Sequence, residues 1–225
     1  MRHFDEIRQM AADHKGGMDA LDALLTDSHG KTAKQLAAIP DDRWLSLMTK
    51  CIFQAGFNWK VIETKWPGFE AAFNGFDVAK CAFLSDEDLD RLATDKSIVR
   101  NPQKIITVRD NAIFLRELAG EHGSAAAFFA AWPADDQIGL LEVLKARASR
   151  MGGNTAQYFL RFIGRDSFIL SRDVTAALIR EGVVDKQVTS KAAWRAVQDA
   201  FNTWAAQSGG SMTQISRTLA MSVGN

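Results

Sequence analysis

The sequence has little cysteine, no excess charge of either sign and no long apolar run, and each absence removes a class of protein. Two cysteines in 225 residues, Cys51 and Cys81, cannot build a disulfide framework and fit a reducing, intracellular setting. Lys plus Arg number 27, as do Asp plus Glu, so the formal net charge is zero. Attachment to nucleic acid by overall charge is thereby excluded, and any such contact must come from a local patch. No stretch reaches the roughly 18 uninterrupted apolar residues of a membrane span. The segment Met1 to Lys15 is mixed in charge and lacks a signal-peptide core. A cytoplasmic protein with no membrane partner is expected. His3, His14, His29 and His122 show no paired-ligand spacing and the cysteines lie far apart, so no metal site is expected. Walker, Rossmann and nucleophile-elbow patterns are also missing, as are internal repeats and low-complexity tracts.

What is present is helical patterning, with almost no strand alternation. Trp44, Leu45, Met48, Ile52 and Ala55 form one stripe, entered through Asp41 and Asp42 after Pro40 and closed by Gly56. Asn58 is placed to cap a short helix carrying Trp59 and Ile62, which should stop before Pro67. Ser85 followed by Asp88 resembles a capping box. Ile105, Val108, Ala112 and Leu115 make another stripe, and Trp194, Val197, Phe201 and Trp204 a further one that ends at Gly209. For most of these aromatics core packing is the simplest reading. The fold class is all-α.

Three constellations could carry chemistry. From Lys145 to Arg165 there are five basic residues and no acidic one, around the glycine turn Arg150-Met-Gly152-Gly153-Asn154-Thr155. A glycine turn ahead of a helix frees backbone N–H groups for a phosphate oxygen, and basic flanks add local attraction. The plainer alternative is a helix–helix turn with a solvated basic edge. In Cys51-Ile-Phe53-Gln54-Ala-Gly56-Phe57-Asn58-Trp59, a helix ends in glycine and a large aromatic opens the next one. An indole at such a junction can stack on an unpaired base, and a cationic base would add a cation–π attraction of roughly 0.5–2 kcal/mol. In Phe168-Ile-Leu-Ser171-Arg172-Asp173, an apolar segment meets a helix start, where Asp173 could be a simple dipole partner or a working carboxylate.

Taken in order, Gln54-Ala-Gly-Phe-Asn-Trp59, Phe69-Glu-Ala-Ala-Phe73, Phe76-Asp77-Val-Ala-Lys80, Leu84 to Leu92 and Ile98 to Ile105 resemble the helix-hairpin-helix base-excision DNA glycosylases. The DNA-3-methyladenine glycosylase I branch is the most similar, over residues 42 to 120 and more loosely 145 to 175. The resemblance implies a bilobed helix-hairpin-helix fold with a cleft between lobes. Residues 42–173 would form one lobe, and 1–41 with 174–225 the other. It implies a monomeric, monofunctional hydrolase that extrudes an alkylated or otherwise labile base from duplex DNA and cuts its N-glycosidic bond with water. Trp59, Gln54, Cys51, Phe57 and Phe53 would make the base pocket. Arg150, Gly152, Gly153, Asn154, Thr155 and Lys104 would contact DNA. Asp173, with Ser171, would orient water or stabilise the sugar cation. Asn154 stands where Schiff-base-forming relatives keep a lysine, so lyase chemistry is not expected.

The chain departs from the family pattern at four places. Cys51 stands where the branch keeps a carboxylate that reads the base, and Glu63, one helical turn beyond Trp59, is either its substitute or a surface residue. The Cys/His zinc site of the branch has no ligands here, so no cofactor is expected beyond a monovalent cation that hairpin carbonyls could hold. Arg150 replaces the first hairpin glycine, where a side chain resists positive φ and an altered grip is expected. Ser171 replaces the superfamily Asp. These losses leave a non-catalytic, lesion-sensing DNA-binding protein as the alternative, and a helical interaction protein without DNA as a third reading.

Overall fold

The computed structural model describes residues 1–224, and among them regular structure is helical throughout, with no strand. The helices are α1 (Phe4–Lys15), α2 (Met18–Leu25), α3 (Ala33–Ala37), α4 (Asp41–Gln54) and α5 (Trp59–Ala72). A 3₁₀ turn (Asn74–Phe76) precedes α6 (Val78–Ala82), α7 (Asp86–Thr94), α8 (Pro102–His122) and α9 (Ala125–Ala131). Then come α10 (Gln137–Arg147), α11 (Gly153–Ile163), α12 (Arg172–Arg180), α13 (Lys191–Ser208) and α14 (Met212–Met221).

The sequence punctuates these helices as patterning indicates. Ser85 caps α7 in a reciprocal box with Asp88, Asn101 caps α8 with Pro102 at its first position, and α13 ends where Gly209 turns left-handed at φ 64°. One expectation is corrected. The helix opened by Trp59 does not stop before Pro67 but runs through it to Ala72. A mid-helix proline costs a hydrogen bond. What offsets it is a stack of rings on the far side: Trp66 lies on Phe69 at 5.1 Å and on Phe76 at 5.5 Å, with Phe73 completing the row. Gly68 meets Ser97 so closely that a Cβ would collide with its carbonyl oxygen, which is why the residue after the proline is bare.

The chain forms two compact units. One comprises residues 1–31, 133–140 and 164–225, the other 32–132 and 141–163, so α10 is shared between them. Set against the expected division, residues 32–41 group with the middle of the chain, and 133–140 and 164–173 with the termini.

In the unit of 32–132 and 141–163, α4 is the central helix. Trp44 on α4 is fully buried, stacked on Phe129 at 4.5 Å and edge-on to Phe159 at 5.9 Å. The Asp41 carboxylate accepts from the backbone N–H groups of Ala125 and Ala126, so the start of α4 also caps α9. Glu70 on α5 accepts from Arg43, Ser46 and Trp66, locking α5 to α4. Burial pushes the Glu70 carboxyl up, but these donors, Arg43 first, outweigh it and hold the group below its ordinary value.

The other unit packs Phe168 on Phe201 at 4.3 Å, with Trp204 edge-on. Its non-helical segment 165–171 is largely buried, and side chains satisfy the backbone there. Gln137 accepts from the Phe168 N–H at 2.8 Å and donates to the Phe168 carbonyl at 2.8 Å. The Thr213 and Ser216 hydroxyls serve Ser167 and Ile169. At the end of α12 the Glu181 carboxylate, its side chain 0% exposed, accepts from Arg2 and Arg180. No helix among the described residues is long and apolar enough to cross a membrane.

Candidate active site

The junction between α4 and α5 is built by three local choices. Gly56 takes φ 69°, which lets the chain reverse directly after α4. Asn58 accepts from the Lys60 N–H and starts α5. Trp59 is therefore the first helical residue and stands at the surface, 43% exposed. Tyr158 and Phe162 on α11 meet it at 5.5 and 6.0 Å, with ring planes at 85° and 88°. These two rings sit one helical turn apart, off the α11 stripe that buries Ala156, Phe159, Leu160 and Ile163. Phe57 and Phe162 are also exposed, so three aromatic rings open to solvent at one corner.

Beneath that corner the polar groups are ordered. Gln54, only 4% exposed, donates through Nε2 to Glu63 Oε1 at 3.1 Å. Lys50 Nζ donates to the other oxygen, Oε2, at 2.7 Å. The ammonium of Lys104 reaches the frayed end of α4, donating to the carbonyls of Phe53 at 3.2 Å and Ala55 at 2.7 Å. It thereby satisfies backbone acceptors that a helix end leaves over. Burial, and after it the charge of Arg150, lowers the Lys104 pKa. Phe53 is buried against Phe69, edge to face at 4.7 Å. Cys51 is buried as well, and burial pushes its thiol up to about 12, so it is neutral at any physiological pH.

Arg150 does adopt positive φ, 57°, despite its side chain, and Gly153 follows at 58°. A non-glycine residue there costs about 1 kcal/mol. Asn111, fully buried on α8, offsets that cost by gripping Ser149 twice, donating to its carbonyl at 3.1 Å and accepting from its N–H at 2.8 Å. Arg150 Nη2 donates to Gln103 Oε1 at 2.8 Å, and Met151 is sunk into the core. Gly152 has open space around it, with the Lys145 stem nearest. Asn154 accepts from Gln157, and Thr155 lies in the first turn of α11. Asn111 escaped the sequence reading because nothing local marks a buried asparagine on a helix stripe as the clasp of a distant turn.

Ser171 and Asp173 belong to the unit of the termini. The Ser171 hydroxyl caps α12 by accepting from the Val174 N–H at 3.2 Å. Asp173, in the first turn, pairs with Arg172 at 3.0 Å. The structure thus brings Cys51, Phe53, Gln54, Phe57, Trp59 and Lys104 into one corner, and Arg150 through Thr155 into one turn. It sets Ser171 and Asp173 at a helix start in the other unit. Among the described residues no three His, Cys, Asp or Glu converge as metal ligands would.

The sequence profile of the methyladenine glycosylase family matches residues 37–149, half of the chain. DNA-3-methyladenine glycosylase 1 of Escherichia coli (strain K12) is 37% identical over 59 residues, 26% of this chain. The chain spans about a third of the length of that relative, 32%. Among solved structures, 3-methyladenine DNA glycosylase I from Staphylococcus aureus aligns with TM-score 0.51 and 22% identity, over 60% of this chain and 80% of that one. A point mutant of the same protein gives TM-score 0.51 and 22% identity over 68% and 90%. At this identity the likeness establishes the all-helical fold.

Proposed function

The chain belongs to the methyladenine glycosylase family, and on that premise we propose that it is a monofunctional DNA glycosylase. It flips an alkylated, 3-methyladenine-like base out of duplex DNA and releases it by hydrolysis. The observation that carries this reading is Trp59, an indole braced by Tyr158 and Phe162 and still 43% exposed. An everted base gains about 1–3 kcal/mol by stacking on such a platform, and positive charge from alkylation adds a cation–π attraction.

The remaining roles follow from position. Gln54 reads an edge of the base. Phe57 extends the apolar wall, while Cys51 and Phe53, both buried, shape it from behind. Cys51 cannot supply charge complementarity, its thiol being held neutral. The first N–H groups of α11, from Gly153 to Thr155, take a phosphate, with Gly152 leaving room for the strand and Arg150 adding charge. Lys104 contributes by holding the end of α4 and adding to the positive field beside Arg150. Water attacks the sugar C1′ and yields a proton to solvent as the bond to the base nitrogen breaks and the base leaves with the bonding pair. A cationic purine is a good leaving group, so stacking and shape supply most of what the reaction needs. The protein acts as a monomer in the cytoplasm, where the buried thiols of Cys51 and Cys81 remain reduced.

The test is incubation with methylated duplex DNA while free bases are followed by chromatography. Wild-type protein is expected to release alkylpurine. Trp59→Ala is expected to slow release by roughly tenfold to a hundredfold, the rate equivalent of ~1–3 kcal/mol of lost stacking. No release at micromolar protein overturns the enzyme reading. One observation favours a second reading, a lesion-binding protein without catalysis: the Ser171 hydroxyl is already engaged as the α12 cap. That reading requires salt-dependent DNA affinity with no base released.

A further inference from the structure

We propose that Glu63 is a positioning residue that fixes the orientation of the Gln54 amide, and through it selects purines bearing an amino rather than an oxo group at the edge Gln54 reads. The inference rests on the glycosylase reading and deepens it. An ionised carboxylate only accepts hydrogen bonds, whereas a primary amide has one donating and one accepting end. Glu63 Oε1 lies 3.1 Å from Gln54, so the amide must turn its NH₂ toward Glu63. The carbonyl oxygen of Gln54 is then the end left over, and it accepts from no protein group among the described residues. Lys50 completes a relay of fixed polarity: its ammonium donates to Glu63 Oε2 at 2.7 Å, leaving Oε1 aimed at Gln54. The free end of the relay is an acceptor. It complements the 6-amino group of an alkylated adenine and opposes the 6-oxo group of an alkylated guanine, because two acceptors face to face leave both unpaired.

The relay can be reversed by one atom pair. In Glu63→Gln, Lys50 can only donate, so it takes the new carbonyl oxygen. The new NH₂ then faces Gln54, which must rotate its oxygen inward and present its own NH₂ to the base. The substitution preserves size, and the Glu63 side chain is half exposed, so the fold is retained. Methylated duplex DNA contains 3-methyladenine and 3-methylguanine together, so one digest reports the selectivity. The wild type is expected to prefer 3-methyladenine, Glu63→Gln to shift the ratio by about tenfold toward 3-methylguanine, the rate equivalent of one net hydrogen bond, and Lys50→Met with Glu63→Gln to lose selectivity between the two. A merely structural Glu63 would lower both rates together and leave the ratio alone. Release by wild type with an unchanged ratio in Glu63→Gln overturns the inference and leaves the glycosylase reading standing. Absence of release by wild type overturns both. A side-chain amide NMR measurement gives an independent check: contacts from the Gln54 NH₂ protons to the Glu63 γ-methylene are expected in wild type, and their persistence to residue 63 in Glu63→Gln would also sink the inference.

Discussion

Two carboxylates in this molecule are held in the same way and placed oppositely. Glu63, beside the α4–α5 corner, takes Lys50 on one oxygen and Gln54 on the other, with its side chain 54% exposed. Glu181, at the end of α12, takes Arg2 and Arg180 with its side chain 0% exposed. Removing charge from water is expensive, so the buried carboxylate depends on its partners and they on it. The exposed one keeps its hydration as a fallback. The difference teaches where to look for work rather than support: a hydrogen-bonded carboxylate that the fold does not need is free to organise its neighbour.

The same substitution in both places sharpens this contrast most. Glu181→Gln is expected to cost about 3 kcal/mol in denaturant unfolding at neutral pH, since it removes the fully buried charge on which Arg2 and Arg180 converge. Glu63→Gln is expected to stay within about 0.5 kcal/mol. Equal losses would dissolve the distinction. Acid should reproduce the larger effect. Burial pushes the Glu181 carboxyl up, but Arg180 first, then the Arg2 N–H, hold it below its ordinary value. A depressed carboxylate stabilises the fold above the unfolded-state value and loses that contribution as pH falls through its native one. Unfolding measured downward from pH 5 should therefore be less steep in Glu181→Gln than in wild type.

A smaller effect is expected from Gln137→Ala, about 2 kcal/mol, because both backbone groups of Phe168 would be left buried without partners. The smallest comes from the α10–α11 turn. Arg150→Gly relieves the left-handed strain and should leave stability equal or raise it by up to ~1 kcal/mol. In a DNA titration the same variant should lower the salt dependence by about one unit of slope, the share of one phosphate contact.

Much of the fold was legible because helices announce themselves locally. The α4 stripe, the Ser85 box and the Gly209 stop are each written within a few residues. What failed were features decided by partners far along the chain. Pro67 reads as a terminator until the ring stack of Trp66, Phe69, Phe73 and Phe76 is seen to outweigh it. Arg150 reads as resisting a left-handed turn, and only Asn111, 39 positions earlier, shows what fastens its neighbour. In the candidate site, Trp59 was visible at its junction, and Glu63 was visible but indistinguishable from any surface acid. Only the facing of α4 and α5 shows that Lys50 and Gln54 converge on it.

The clasp of Asn111 on Ser149 has a mechanical corollary. A loop tied through both its amide and its carbonyl to the middle of a 21-residue helix has no slack with which to follow a moving ligand. Whatever docks on it meets a fixed tooth, and the bending falls to the softer body, at a price set by that body's own stiffness.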